Sequence, residues 1–258
     1  MTVAVIRFGG SNCDRDAVRA LRTLGIDAEL AWHADGLPAD VTGVVLPGGF
    51  SYGDYLRAGA IAARTPILEE VRRAAAGGLP VLGVCNGAQI GCEASLAPGA
   101  FTTNDRSRFR CEHTFLRVET TDTPWTRAYE AGEIIELPIA HAEGRFVIEP
   151  GRLETLERDD RVLFRYCDAD GRTIAAANPN GSTDNVAGIV GKTGAAVMMP
   201  HPSGRRSRTP AAPTVAGFSG RLSTESRRGT GSGACDNPRP GFGSRGLRPL
   251  RVPYCTID

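Results

Sequence analysis

One segment of this chain, Gly83-Val84-Cys85-Asn86-Gly87-Ala88-Gln89, places a nucleophile where its surroundings could activate it. An apolar run, PVLGVC over 80–85, ends at the cysteine, and a helix-forming stretch follows at once between two glycines. That layout predicts a nucleophile elbow, a sharp strand-to-helix turn that projects one side chain over the end of a sheet. A helix N-terminus there would lower the thiol pKa and favour the thiolate. Small neighbours would leave room for a substrate against the backbone, and the Asn86 N–H would face a developing oxyanion. A buried structural cysteine ahead of a helix fits the same spacing, and spacing alone does not choose between them.

Pro47-Gly48-Gly49 also closes an apolar run, and exposed N–H groups at Gly49 could complete an oxyanion hole. A Gly-Gly pair is equally an ordinary turn. A cysteine nucleophile needs a base, and the chain has four histidines. His33 follows an apolar run and reads as a surface or core residue, while His113 sits among charges and is expected to face solvent. His141 lies in PIAHAEGR (138–145), a loop-like stretch after a strand. His201 ends the apolar run AAVMMP, so a strand would deliver it to a distant cysteine.

The elements that must hold these groups alternate. TVAVIRF (2–8), DAELAW (27–32), GVVLPGG (43–49) and PVLGVC (80–85) read as strands, with helices at 14–25, closed by Gly25, and near 57–76. Such spacing predicts right-handed crossovers and a doubly wound, mostly parallel α/β sheet. Shorter candidates near 114–119, 133–139, 162–167, 173–177, 186–190 and 195–199 predict a mixed extension of it. After Pro202 the pattern stops. Residues 203–258 carry 9 Gly, 6 Pro, 7 Ser and 10 Arg without apolar periodicity, the composition of a disordered tail.

The net charge of +1 hides an asymmetry: 20 basic against 26 acidic residues over 1–202, then 10 against 3 over 203–258. A basic tail is one route to nucleic-acid binding, but the motifs below leave that reading no support. Seven cysteines without CxxC spacing indicate reduced thiols and no zinc site. No apolar run approaches a membrane span and no export signal opens the chain, so a soluble cytoplasmic protein is expected.

Six segments carry a resemblance: Gly10-Ser11-Asn12-Cys13-Asp14-Arg15-Asp16, PGGFSYGDYLRAGAIAA (47–63), GVCNGAQIGCEA (83–94), PIAHAEGRF (138–146), NPNGSTDNVAGI (178–189) and MMPHP (198–202). Over nearly all of 1–202 the chain resembles class I glutamine amidotransferases of flavodoxin-like fold. Within them it is similar to the glutaminase subunits of phosphoribosylformylglycinamidine synthase, from purine biosynthesis. PGGFSYGD and PIAHAEG are specific to that subfamily. The resemblance implies that Cys85 attacks the glutamine carboxamide, His201 moves the proton, and N–H groups of Gly49 and Asn86 hold the oxyanion. It implies that Gln89 contacts the bound L-glutamine and that His141 lies near the site. It implies no cofactor in this subunit; a large synthetase subunit would use ATP and Mg, with a small third subunit bridging the two.

The family continues His-Pro-Glu-Arg, where the Glu orients the histidine, whereas Ser203-Gly204-Arg205 stand here. GAG-CGG, encoding Glu-Arg, read one base later begins AGC-GG, encoding Ser-Gly. The tail's composition matches off-frame GC-rich coding. A frameshifted tail after a glutaminase domain of residues 1–202 is therefore expected, against the alternative of a natural basic extension. A pseudoenzyme that keeps the fold and the partner surface is the alternative to an active glutaminase.

Overall fold

The computed structural model describes residues 2–201. The expected tail, its boundary at 202/203 and Ser203 lie outside the described residues. A nine-stranded sheet forms the middle layer. Its strands, in chain order, are β1 (Thr2–Arg7), β2 (Asp27–Trp32), β3 (Val41–Leu46), β4 (Val81–Val84), β6 (Arg110–Val118), β7 (Ile134–His141), β9 (Val162–Cys167), β10 (Val186–Val190) and β11 (Ala196–Met198). The spatial order is β2-β1-β3-β4-β11-β10-β9-β6-β7. The first five of these pair in parallel, and the remaining pairings are antiparallel. Two short strands, β5 (Ala100–Thr102) and β8 (Arg145–Val147), form a separate ladder.

The helices are α1 (Asp14–Thr23), α2 (Pro66–Ala76), α3 (Asn86–Glu93) and α4 (Pro150–Arg158). Alternation along β1 explains the double winding, since successive side chains in a strand point to opposite faces. Val3 and Val5 pack on one face with Ala17 and Leu21 of α1. Ala4 and Ile6 pack on the other with Ile67, Leu68, Val71 and Ala75 of α2 and Ile90 of α3. Strands covered on both faces must be apolar where they are buried, as Val3–Ile6 of β1 and all of β4 are. Fully burying Ile67, Leu68 and Val71 contributes on the order of 2 kcal/mol each.

The helix ends follow local chemistry. Asp14 and Asp16 sit in the first turn of α1, where the positive end of the helix dipole favours them, and Gly25 follows its end at φ 75°. Pro66 opens α2 at a position whose N–H has no helical partner. The expected helix at 57–76 begins only at Pro66, after a 3-10 turn at Ala62–Arg64. The expected strand at 173–177 is a correction: Ala175–Ala177 form a 3-10 turn and Ile174 is exposed, so its β-branched character finds no face to pack on. Among the described residues no helix is long and apolar enough to cross a membrane, and no cluster of side chains is suited to a metal ion.

Candidate active site

The elbow exists. Cys85 caps α3 at φ 50°, ψ −110°, a conformation outside the regions open to L-residues that costs about 1–3 kcal/mol. Its own N–H donates to Met198 O (2.8 Å), which ties the elbow to the neighbouring strand β11. The flanking glycines serve a different purpose from the one expected. A Cβ on Gly87 would lie 1.8 Å from Leu46 O, and one on Gly83 would lie 2.5 Å from Gly87 O. The space beside them is filled by the protein's own backbone, so Gly87 lets α3 sit directly on β3 and Gly83 lets it sit on β4, rather than admit a substrate.

Two loops interlock beside the elbow. Phe50 N–H donates to Gly10 O (3.0 Å), Tyr52 N–H to Gly9 O (2.6 Å) and Cys13 N–H to Gly48 O (3.3 Å). Gly49, at φ 137°, has no room for a Cβ, which would meet Asn12 N at 2.7 Å and Gly10 O at 2.9 Å. Gly48 is the glycine against the histidine: its Cβ would lie 3.0 Å from His201 Cε1 and 3.5 Å from Cys13 Sγ. The second loop then turns through Tyr52, Asp54 and Leu56, all at positive φ, leaving Tyr55 and Leu56 largely exposed.

Asn86 locks the loop to the elbow. Its Oδ1 accepts from Ser51 N–H (3.1 Å), and its Nδ2 donates to Gln89 Oε1 (2.9 Å) and Asp54 Oδ1 (3.3 Å). The Asn86 main-chain N–H at the start of α3 favours the Cys85 thiolate, as an oxyanion donor at that position would. Gln89, expected at the substrate, is engaged at both ends, since its Nε2 also donates to Glu143 O (2.7 Å).

The end of β7 and the residues after it cover the elbow, although β7 lies at the far edge of the sheet. Cys85 Sγ approaches Ala140 O at 3.8 Å, His201 N–H donates to Pro138 O (2.9 Å), and Glu143 Oε2 accepts from Ala58 N–H (3.3 Å). His141, read from sequence as a loop residue, is the last residue of β7 and is buried. The structure therefore gathers Cys85, Asn86, Gln89, Gly49, His141 and His201 into one region. His33 and His113 stay outside it: His33 stacks on Phe8 and bonds Tyr52, and His113 is exposed near Glu136. Asp54, Ser51, Ala140 and Glu143 also belong to the site; sequence reasoning assigned them no role, although they lie within the PGGFSYGD and PIAHAEG motifs.

Burial reverses the expected thiol chemistry. Enclosure lifts the Cys85 thiol to about 12, with Cys13 adding to the rise, while the Asn86 N–H pulls it down less. Burial likewise pushes His141 and His201 down to about 4, and His201 contributes to the fall at His141. Both imidazoles are then neutral in the folded chain and take up protons on unfolding below the ordinary 6.5. Stability should be full above pH 6.5 and fall as pH drops towards 4, each histidine costing roughly 2 kcal/mol by pH 5. Asp54, raised to about 6 by burial and then by Glu143, acts in the opposite direction below pH 6. It is half exposed, so its offset is the smaller. The urea midpoint should decline between pH 7 and 5, and His141→Phe should flatten that decline; a midpoint constant with pH would contradict the burial argument.

Comparison with known proteins places this geometry. The family of CobB/CobQ-like glutamine amidotransferase domains matches residues 1–217. The phosphoribosylformylglycinamidine synthase subunit PurQ of Halobacterium salinarum is 69% identical over 203 residues, covering 78% of this chain and 91% of that one. The chain belongs to the PurQ family. The PurQ subunit of Natronomonas pharaonis is 68% identical over the same length and coverage. Among solved structures, PurLQS from Thermotoga maritima matches this PurQ-family chain with a TM-score of 0.74 and 37% identity, covering 86% of this chain and 98% of that one. The pseudoenzyme alternative gains no support from these relatives. For a PurQ-type amidotransferase the doubly wound sheet and its antiparallel extension are the expected frame, and the elbow stands at the join between them.

Proposed function

We propose that this chain hydrolyses L-glutamine to glutamate and ammonia and hands the ammonia to a synthetase that makes formylglycinamidine ribonucleotide. The carrying observation is the convergence of a strained Cys85 at the end of β4 and a partly buried His201 after the neighbouring strand β11, with Gly48 against the His201 ring. The glutaminase unit comprises residues 1–202. Cys85 Sγ attacks the carboxamide carbon while His201 takes the thiol proton, and the N–H groups of Asn86 and Gly49 face the oxyanion. The proton then passes to the departing nitrogen, ammonia leaves, and water hydrolyses the glutamyl thioester. Gln89 shapes the pocket through its bonds to Asn86 and Glu143. The subunit uses no cofactor itself; a large synthetase subunit uses ATP and Mg, and a small subunit bridges the two.

Burial raises the Cys85 thiol and lowers the His201 imidazole, and both shifts oppose proton transfer from one to the other in the chain as it stands. Such a site is quiet until substrate and partner rearrange it. The isolated chain should therefore hydrolyse glutamine slowly, and the synthetase with its ligands should raise kcat by at least about tenfold. The measurement is glutamate release with and without the partner, together with ammonia incorporation into the ribonucleotide product. Neither hydrolysis nor incorporation in the assembled complex would refute the reading.

A further inference from the structure

A backbone donor stabilises an oxyanion fully only if the loop that carries it is already fixed, because rearrangement at the moment of reaction forfeits the gain. The loop that carries the Gly49 N–H is costly to fix. Tyr52, Gly53, Asp54 and Leu56 all stand at positive φ, a region that residues with side chains rarely adopt. Gly53 enters it freely. Tyr52, at φ 53° and ψ 30°, does not, so its side chain has to hold it there.

Main-chain bonds pin the segment just after Gly49 from two sides. Phe50 and Tyr52 N–H donate to Gly10 O and Gly9 O, and Ser51 N–H donates to Asn86 Oδ1 on the elbow helix. Gly10 leaves no slack, since a Cβ on it would sit 2.2 Å from Phe50 O. The third anchor is the Tyr52 side chain. Its ring packs on the core cluster that contains Ala4, Ile6 and Phe8, with its centroid 6.4 Å from that of Phe8. Its hydroxyl lies 3.0 Å from His33 Nε2 and 3.4 Å from Nδ1, the two rings meeting edge-on at 5.7 Å. The imidazole is itself fixed: it stacks on Phe8 at 5.8 Å and 19°, Trp32 lies against it at 4.4 Å, and the His33 main-chain N–H donates to Arg7 O (3.1 Å). Which side donates follows the tautomer, and the bond stands with either. Because His33 follows β2, the outermost strand on its side of the sheet, the bond ties the loop to a part of the fold that holds no site residue.

We propose that Tyr52 and His33 are positioning residues for glutamine hydrolysis: their hydroxyl–imidazole bond holds the left-handed turn at Tyr52, and with it the Gly49 N–H that faces the oxyanion. The inference rests on the glutaminase reading above. Neither residue touches the substrate or exchanges a proton with it. Their contribution falls where the oxyanion forms, in the transition state, and so on kcat rather than KM. Misplacing a reacting group by about 1 Å costs up to roughly 10²-fold in rate, so a loosened but folded loop should cost about tenfold.

The test uses the full chain, free and assembled with its synthetase, and compares Tyr52→Phe, His33→Phe and the double variant. Each change keeps an aromatic ring in place and removes one side of the bond. Glutamine kcat and KM are measured in the complex, and hydrogen exchange of the amides at 50–52 in the free chain, with urea midpoints as a check on folding. Either single change should lower kcat about tenfold, move KM less than about threefold, and speed exchange at those amides about tenfold. The double variant should lose no more than either single one, since both remove the same bond. Unchanged kcat in a single variant, losses that multiply in the double, an effect confined to KM, or exchange as slow as in the parent would each overturn the proposal. Should His33→Phe fail to fold, His33→Leu carries the same comparison. A parent complex that does not hydrolyse glutamine would instead remove the glutaminase reading itself, while the exchange rates still decide whether the bond holds the loop.

Discussion

Cys85→Ser should abolish glutamine turnover in the assembled complex, by at least about 10³-fold, while leaving the chain folded. A hydroxyl is far less nucleophilic than a thiol near neutral pH, and His201 as a neutral imidazole is too weak a base to compensate. The change removes no apolar contact of consequence and keeps the capping position, so the urea midpoint should move by less than about 1 kcal/mol equivalent. The measurement is glutamate release by the complex, together with mass-spectrometric mapping of the thiol labelled by a glutamine-mimicking alkylator. Cys13 and Cys92 are the rivals. Cys13 lies against Gly48 in the neighbouring loop, and Cys92 is buried on α3 with its thiol towards Pro98 O (3.8 Å). Label on either of them with Cys85 unmodified would overturn the assignment, as would turnover surviving in the serine variant.

Gly87→Ala should cost about 3 kcal/mol of stability and silence the site as well. A Cβ there would lie 1.8 Å from Leu46 O and 2.5 Å from Leu46 C, which are backbone atoms of a central strand and cannot swing aside. Either α3 lifts from β3, or β3 shifts within the sheet. Both movements displace Cys85 and the Asn86 amide that ties Ser51, Asp54 and Gln89 together. Gly151→Ala is the control: it lies in the first turn of α4, where an added Cβ meets nothing, and alanine is the better helix former. The control should be neutral or stabilising by up to about 1 kcal/mol. Urea unfolding of the two variants decides the matter, and a Gly87→Ala chain as stable as its parent would refute the close-packing account.

The parallel half of the sheet was legible because strands covered on both faces leave uninterrupted apolar runs, as VAVI in β1 and VLGV in β4 do. The elbow was legible from Cys85 and its glycines, although the reason for the glycines was not, since Leu46 O is remote in sequence. The helix α4 went unread, yet Pro150 at its start and Leu153 and Leu156 three apart were a usable signal. The strand expected at 173–177 failed because propensity says nothing about whether a partner edge is present. The thiol's raised pKa was out of reach for the same physical reason as the placement of His141. Both depend on β7 returning from the far edge of the sheet to enclose the elbow, a contact between segments more than 50 residues apart that leaves no local pattern.

The strand that joins the two halves of the sheet has a consequence for how the chain reaches its native state. β11 is the last strand of the described chain, yet it sits near the middle of the sheet, pairing Met198 with Val84 on one side and with Gly188 on the other. Chain growth from the ribosome delivers β4 more than 100 residues before its neighbour, so during synthesis β4 presents an unpaired, wholly apolar edge. Closing so long a loop defers the contact that rewards it, which places this step among the slow events of folding. A nascent chain halted before Ala196 holds two half-sheets with sticky inner edges and no route to join them. Its natural fate is capture by a chaperone or association with another such edge. Cys85 and His201 come together only when that insertion is complete, so the candidate site is assembled late in folding.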